Sequence, residues 1–379
     1  QWADLTREHG HEKLEVEGKF PHDLRGTLYR AGPALSERFG RPYGHVFEGD
    51  GAICAVRIGD GVATGAHRLI RSEGFVREEA AGQALYQTAV SWPKQVANNL
   101  LGRAKNTANT SVMEWHGELY ALMENARPTA FDRELATIGE TTLGGVIRSA
   151  FSAHPHKVVA RRTTYNFGLR YGRRTSVVVY ALPWEGNARV LTEIPLAHPV
   201  MLHDFMATEK HVVFMVSPYR LVVFRAALAI GGFSDLFRWT PADGTEVVVI
   251  PIDDPERSRR FRVDPFFQIH FAGGHDAPDG VAVDLMAYPD SSALERNVAE
   301  IDRPPVCGVV TRIHMPRRGE EIRKEVLCDA AMEFCQIDPR WAGARQGHLW
   351  GNRPGASRVD GTCRAARVSA ASLLESTCR

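Results

Sequence analysis

The stretch RTSVVVYALP, Arg174 to Pro183, decides the class of fold. It is a short run rich in Val, Thr and Tyr that ends at a proline, which is the composition of a β-strand. Working outward, the same signature recurs in TSVMEWHGELYALM (110–123), HVVFMVSP (211–218), TEVVVIPI (245–252) and GVAVDLMAY (280–288). Turn pairs such as His116-Gly117 and Glu209-Lys210 join neighbouring runs as hairpins. Amphipathic periods of 3.6 residues are scarce. The clearest is SWPKQVANNLLGRAKN, Ser91 to Asn106, whose Ser-Trp-Pro opening suits a helix start. Many short strands without alternating helices predict an all-β chain with short helical insertions: a sandwich, a barrel or a propeller. No tight repeat separates these three.

Composition narrows the partners. The chain has 379 residues, with 46 Lys+Arg against 45 Asp+Glu and a formal net charge of +1. A balanced charge without a basic stripe speaks against nucleic acid as a partner. Hydrophobic residues make up 44% and charged residues 24%, as in ordinary globular proteins. No apolar run reaches the length of about 20 residues needed to cross a bilayer. The polar start QWADLTREHGHEK carries no secretory signal. The six cysteines include no Cys-x-x-Cys pair and read as thiols of a reducing compartment, so a cytoplasmic location is expected.

Three of the fifteen histidines share a local setting. His154 in FSAHPH, His203 in VMLHDF and His270 in FFQIHF each lie among apolar residues at the edge of a strand-like run. Their separations of 49 and 67 residues correspond to one four-stranded unit plus insertions. In a closed all-β fold such positions can converge, and neutral imidazoles on rigid strands suit iron, zinc or copper. Taken singly, each is also what a hydrogen-bonded core histidine looks like. Glu124 in LYALMENARP and Glu333 in AMEFCQID follow apolar runs in a similar way. A buried carboxylate needs a partner, and the free ring N–H of a metal-bound histidine is one candidate. An exposed or Arg-paired glutamate at a strand end is the other. No Gly-x-Ser-x-Gly elbow, phosphate loop or dinucleotide fingerprint occurs.

With these residues in view, the sequence resembles the carotenoid cleavage oxygenase family from about residue 15 to about residue 340. The resemblance is carried by DLRGTLYRAGPA, HVFEGDGAICAVRI, NTANTSVMEWHGELYALMENARPTAFD, FSAHPHK, MLHDFMATEKHVVF, QIHFAGGHD and MEFCQIDPR, in the family's order. It implies a seven-bladed β-propeller that holds Fe(II) with four histidines and no directly bound carboxylate. By motif, His154, His203 and His270 stand as three of those ligands. Glu124 and Glu333 match two of three outer glutamates that orient the ligand rings. The implied reaction is cleavage of a conjugated C=C bond of a carotenoid or apocarotenoid by O2, giving two carbonyl products. The NTANT segment is more similar to the carotenoid and apocarotenoid cleavers than to the stilbene cleavers. Members touch membranes through an apolar patch, and Ser91 to Asn106 takes its place, which implies peripheral membrane contact.

The chain departs from the family pattern at its far end. The fourth histidine and the third outer glutamate have no match: His348, in RQGHLWGN, comes too early, and Glu375 lies among atypical residues. Residues 351–379 hold five Arg against one Asp and one Glu and no aromatic residue. The expectation is an incomplete propeller over residues 1–350 followed by a disordered tail, the product of truncation or a frameshift near Trp350. A catalytically impaired relative that binds a hydrophobic isoprenoid without turnover is the alternative function.

Overall fold

Thr175–Pro183 is buried along nearly its whole length in the computed structural model, on both faces rather than one. That is why its sequence is almost continuously apolar instead of alternating. The structure describes residues 4–172, 174–299, 306–352, 363–367 and 375–376. The described chain divides into two compact units, one made of residues up to Ala153 together with Val223–Leu236, the other of the remainder.

Both units are built from antiparallel sheets, four of them four-stranded and one, in the second unit, seven-stranded. In the first unit, one sheet orders His9–Lys13, Val62–Leu69, Asp50–Gly59 and Gly26–Leu35. A second orders Thr137–Glu140, Thr129–Phe131, Glu118–Leu122 and Ser111–Trp115. Ile53, Ala55 and Ala66 of the first sheet pack with Leu119, Ala121 and Phe131 of the second.

The second unit continues the pattern. One sheet follows chain order through His156–Val158, Thr163–Arg170, Thr175–Pro183 and Arg189–Leu196. The next uses Met206–Ala207, His211–Val216, Thr245–Pro251 and Arg259–Val263. The last begins Phe267–Ala277, Gly280–Tyr288, Gly308–Pro316 and Arg323–Gln336. The far end of Arg323–Gln336 pairs onward with His348–Asn352, then Cys363–Arg367 and Glu375–Ser376. Of the tail expected to be disordered, 353–362, 368–374 and 377–379 lie outside the described residues.

The period of two fixes the packing. Val212, Phe214 and Val216 turn one way, into a core with Phe167, Val177 and Val179 of the preceding sheet. Val213 and Met215 turn the other way, toward Phe271, Val281 and Val283 of the following sheet. This sheet, the second of the unit, is thereby sandwiched between its two neighbours.

The expected turns form: His116 and Gly117 both take positive φ, 55° and 79°, linking Ser111–Trp115 to Glu118–Leu122. The helix expected over Ser91–Asn106 is shorter, spanning Trp92–Leu100. Gly102 at φ 63° ends it in the left-handed region. Lys105 and Asn106, beyond that turn, are buried instead. A helix at Glu73–Ala81, capped by Ser72, carried too weak an apolar stripe to be seen in the sequence.

Candidate metal centre

Three successive sheets of the second unit each contribute one histidine from, or just before, their first strand. His154 lies two residues ahead of His156–Val158, and His203 lies three ahead of Met206–Ala207. His270 lies within Phe267–Ala277, where the strand register shifts between Gln268 and Phe271. Such an extra residue bends a strand and re-aims a side chain, here the imidazole.

The three histidines converge. One ring nitrogen from each lies within 4.8 Å of the others, and this is the His/Cys/Asp/Glu cluster of metal-binding geometry found among the described residues. The Nε2 atoms of His203 and His270 are 3.2 Å apart, so both rings aim at one point. The rings of His154 and His203 lie 4.3 Å apart between centroids and cross at 61°. That tilt gives three nitrogens a common focus, which flat stacking would not.

Burial sets the protonation. Desolvation pushes the His154 imidazole down to about 4 and His203 well below its ordinary value. Both are held neutral, the form that binds metals. His270 differs: burial acts to lower its value, but the hydrogen bond and charge of Glu333 outweigh it and raise it. Its Nδ1–H donates to Glu333 Oε2 at 2.8 Å, which leaves Nε2 for the cluster.

Glu333 is itself held in place. Tyr288 OH donates to its Oε1, and the Phe334 N–H donates to Oε2 at 2.8 Å. Burial works to raise the carboxyl, yet the His270 and Tyr288 hydrogen bonds keep it below the usual carboxylate range. Phe334 follows at φ 53°, unusual for a bulky residue, which marks a backbone constrained around this carboxylate. Glu124 belongs to the first unit. It follows the strand Glu118–Leu122, and its Oε1 accepts the Ala153 N–H at 3.2 Å, the residue before His154. His348 is exposed, with its ring stacked on Trp350.

Sequence reasoning missed Asp204, which is 2% exposed. Its Oδ1 accepts the His156 Nε2–H and the Phe205 N–H, each at 2.8 Å, while Oδ2 accepts the Phe271 N–H at 2.8 Å. Burial acts to raise this carboxyl, but the charge and hydrogen bond of His156 hold it well below the usual range. Its place directly after His203 was the one available signal.

Three neutral or neutralisable imidazoles without a carboxylate in the cluster make a donor set that fits a divalent first-row metal. Comparison with known proteins sets that donor set in context. The family model described as retinal pigment epithelial membrane protein, that of the carotenoid cleavage oxygenases, matches residues 2–369. The chain belongs to this carotenoid cleavage oxygenase family. An apocarotenoid-15,15'-oxygenase of Synechocystis is 27% identical over 354 residues, covering 87% of this chain and 70% of the relative. A resveratrol cleavage oxygenase of Chaetomium globosum is 31% identical over 296 residues, 75% of this chain and 48% of the relative. A carotenoid 9,10(9',10')-cleavage dioxygenase of Arabidopsis thaliana is 26% identical over 365 residues, 89% of this chain and 66% of the relative. The chain thus spans between about half and 70% of the length of these relatives. The structure of cobalt-substituted Synechocystis ACO superposes with a TM-score of 0.84 at 23% identity, covering 99% of this chain and 82% of that one. The likeness shows the fold, a β-propeller of the seven-bladed class.

Proposed function

We propose that this member of the carotenoid cleavage oxygenase family cleaves a conjugated C=C bond of a carotenoid or apocarotenoid with O2, using Fe(II). The convergence of His154, His203 and His270 carries the reading. In balance, one alkene and one O2 give two carbonyl compounds, with each oxygen atom ending on one of the former alkene carbons. Fe(II), when bound, supplies the redox chemistry that lets O2 react with an electron-rich polyene. The chain's own residues do the rest. His154, His203 and His270 hold the ion, and Glu333 keeps the His270 proton on Nδ1. No general acid or base is required of the protein, which leaves positioning and exclusion of water as its tasks.

The polyene is apolar, so a route from a membrane is part of the proposal. In the first unit, Trp92, Leu100 and Leu101 of the Ser91–Asn106 segment are 57%, 66% and 61% exposed. The short helix Val223–Ala227 joins them: Trp92 Nε1–H donates to the Leu228 carbonyl at 2.9 Å and Asn99 to that of Ala226 at 2.7 Å. Val223 and Phe224 are exposed beside them, 56% and 60%. A rigid apolar face of this kind suits shallow contact with a lipid surface. Among the described residues no helix is long and apolar enough to span a bilayer.

The test is turnover of an apocarotenoid to aldehydes by wild type and His203→Ala under air. Loss of both bound iron and aldehyde in the variant supports the reading; unchanged turnover sinks it. The identity to a resveratrol cleaver favours one second reading, a stilbene substrate, so resveratrol belongs in the same assay. A relative that binds an isoprenoid without turnover is recognised by substrate binding with no O2 consumption.

A further inference from the structure

We infer that Asp204 is the positioning residue that sets the three histidines relative to one another. The inference rests on the metal reading of that site. Each of its hydrogen bonds reaches the neighbourhood of a different histidine. His156 Nε2, at 2.8 Å, belongs to the residue two beyond His154. The Phe205 N–H, at 2.8 Å, is two beyond His203, and Asp204 itself is adjacent to it. The Phe271 N–H, at 2.8 Å, is the residue after His270. A single carboxylate therefore ties together three chain segments that are 48 and 67 residues apart.

The chemistry fits a tether better than generic core filling. Asp204 and the side chains of its surroundings are closely packed, with the His156 ring edge-on to Phe205 at 4.9 Å and 90°. An ionised carboxylate accepting three N–H bonds has almost no freedom to rotate, so it transmits position rather than merely occupying volume. The tie matters most at His270, because the strand register shifts between Gln268 and Phe271, on either side of it. The Phe271 N–H bond to Asp204 adds a tie beside this irregularity. Glu333 fixes the His270 ring from behind, whereas Asp204 fixes the backbone that carries it. Outer partners of metal ligands typically change metal affinity by 10–100-fold when removed.

The experiment is Co2+ titration of the metal-free full chain, read by equilibrium affinity and by the visible ligand-field spectrum, for wild type, Asp204→Asn and His156→Gln. Asp204→Asn keeps the shape but cannot accept all three bonds. It is expected to bind Co2+ about 10–100-fold more weakly and with shifted bands. His156→Gln, at a residue whose side chain is 23% exposed, removes only the His154-side tie and is expected to give a smaller loss with a band shift of its own. Wild-type affinity and spectrum in Asp204→Asn overturn the inference; should that variant not fold, the same result in His156→Gln overturns it. If wild type itself takes up no Co2+, the metal reading fails. The tether is then judged separately from amide exchange of Phe205 and Phe271 in whichever variant folds: lost protection supports it, and retained protection overturns it.

Discussion

Replacing Glu333 separates what its charge does from what its shape does. The carboxylate sits 5% exposed against a His270 side chain that is 15% exposed, with the Nδ1–Oε2 pair at 2.8 Å. In Glu333→Gln the amide oxygen can still accept from His270 Nδ1 and the Phe334 N–H, while the amide nitrogen faces Tyr288 OH, which can accept. Geometry is kept and charge is lost. A hydrogen bond to a charged group is worth about 1.5–3 kcal/mol and a neutral one about 0.5–1.5. The midpoints differ by about 1.2 kcal/mol, which corresponds to about eightfold in metal affinity. Glu333→Ala also frees the His270 ring to rotate and leaves Tyr288, itself 2% exposed, without its acceptor. Its loss should approach the upper end of about 10–100-fold. Equilibrium dialysis of Co2+ against the metal-free chain at neutral pH measures all three proteins. The expected order is wild type, then Gln, then Ala. Gln and Ala both within twofold of wild type would refute the idea that this carboxylate orients a ligand.

Lys105 Nζ lies 2.8 Å from buried Asp50, 2.9 Å from buried Glu78 and 2.5 Å from the half-buried Tyr43 OH; Lys105→Met leaves the two carboxylates with Arg38, at 3.6–3.7 Å, as the cation that still faces them, and should cost about 3–5 kcal/mol in urea unfolding. Adding Glu78→Gln to that variant should recover part of the loss, and no recovery would argue against charge imbalance as its cause. Burial pushes His45 down to about 4, whereas the unfolded side chain titrates near 6.5. Its contribution to stability is thus complete above about pH 6.5 and declines as pH falls toward 4. His45→Asn, which keeps an acceptor for the Phe47 N–H, should flatten stability against pH in that window, and an unchanged slope contradicts the assignment. Trp92→Glu with Leu100→Glu removes two exposed apolar groups and should abolish co-flotation with liposomes; equal flotation of variant and wild type would remove the membrane face.

How much of this was legible in sequence follows from how local each signal is. Thr175–Pro183 and Thr245–Pro251 read as strands because burial on both faces makes them continuously apolar. The three histidines could be singled out because each sits at the first strand of its own sheet, so the fold's repeat spaces them. Asp204 could not be read in this way: its partners lie 48 and 67 residues away, and the motif looks like any polar residue after a histidine. The burial of Lys105, at the end of the expected helix Ser91–Asn106, has no local signal, because its carboxylate partners Asp50 and Glu78 are distant in sequence. The helix stops at Leu100 because Gly102 takes a left-handed turn, a backbone choice that composition alone did not reveal. Glu333 was visible as a carboxylate after an apolar run; its tie to Tyr288, 45 residues earlier, was not.

The metal centre is tested most simply by iron per chain in protein purified without oxygen, with His270→Ala alongside. Close to one iron is expected in wild type and almost none in the variant, since one of three converging donors is gone. Equal iron in both, or none in either, would contradict the claim that His154, His203 and His270 form the metal centre.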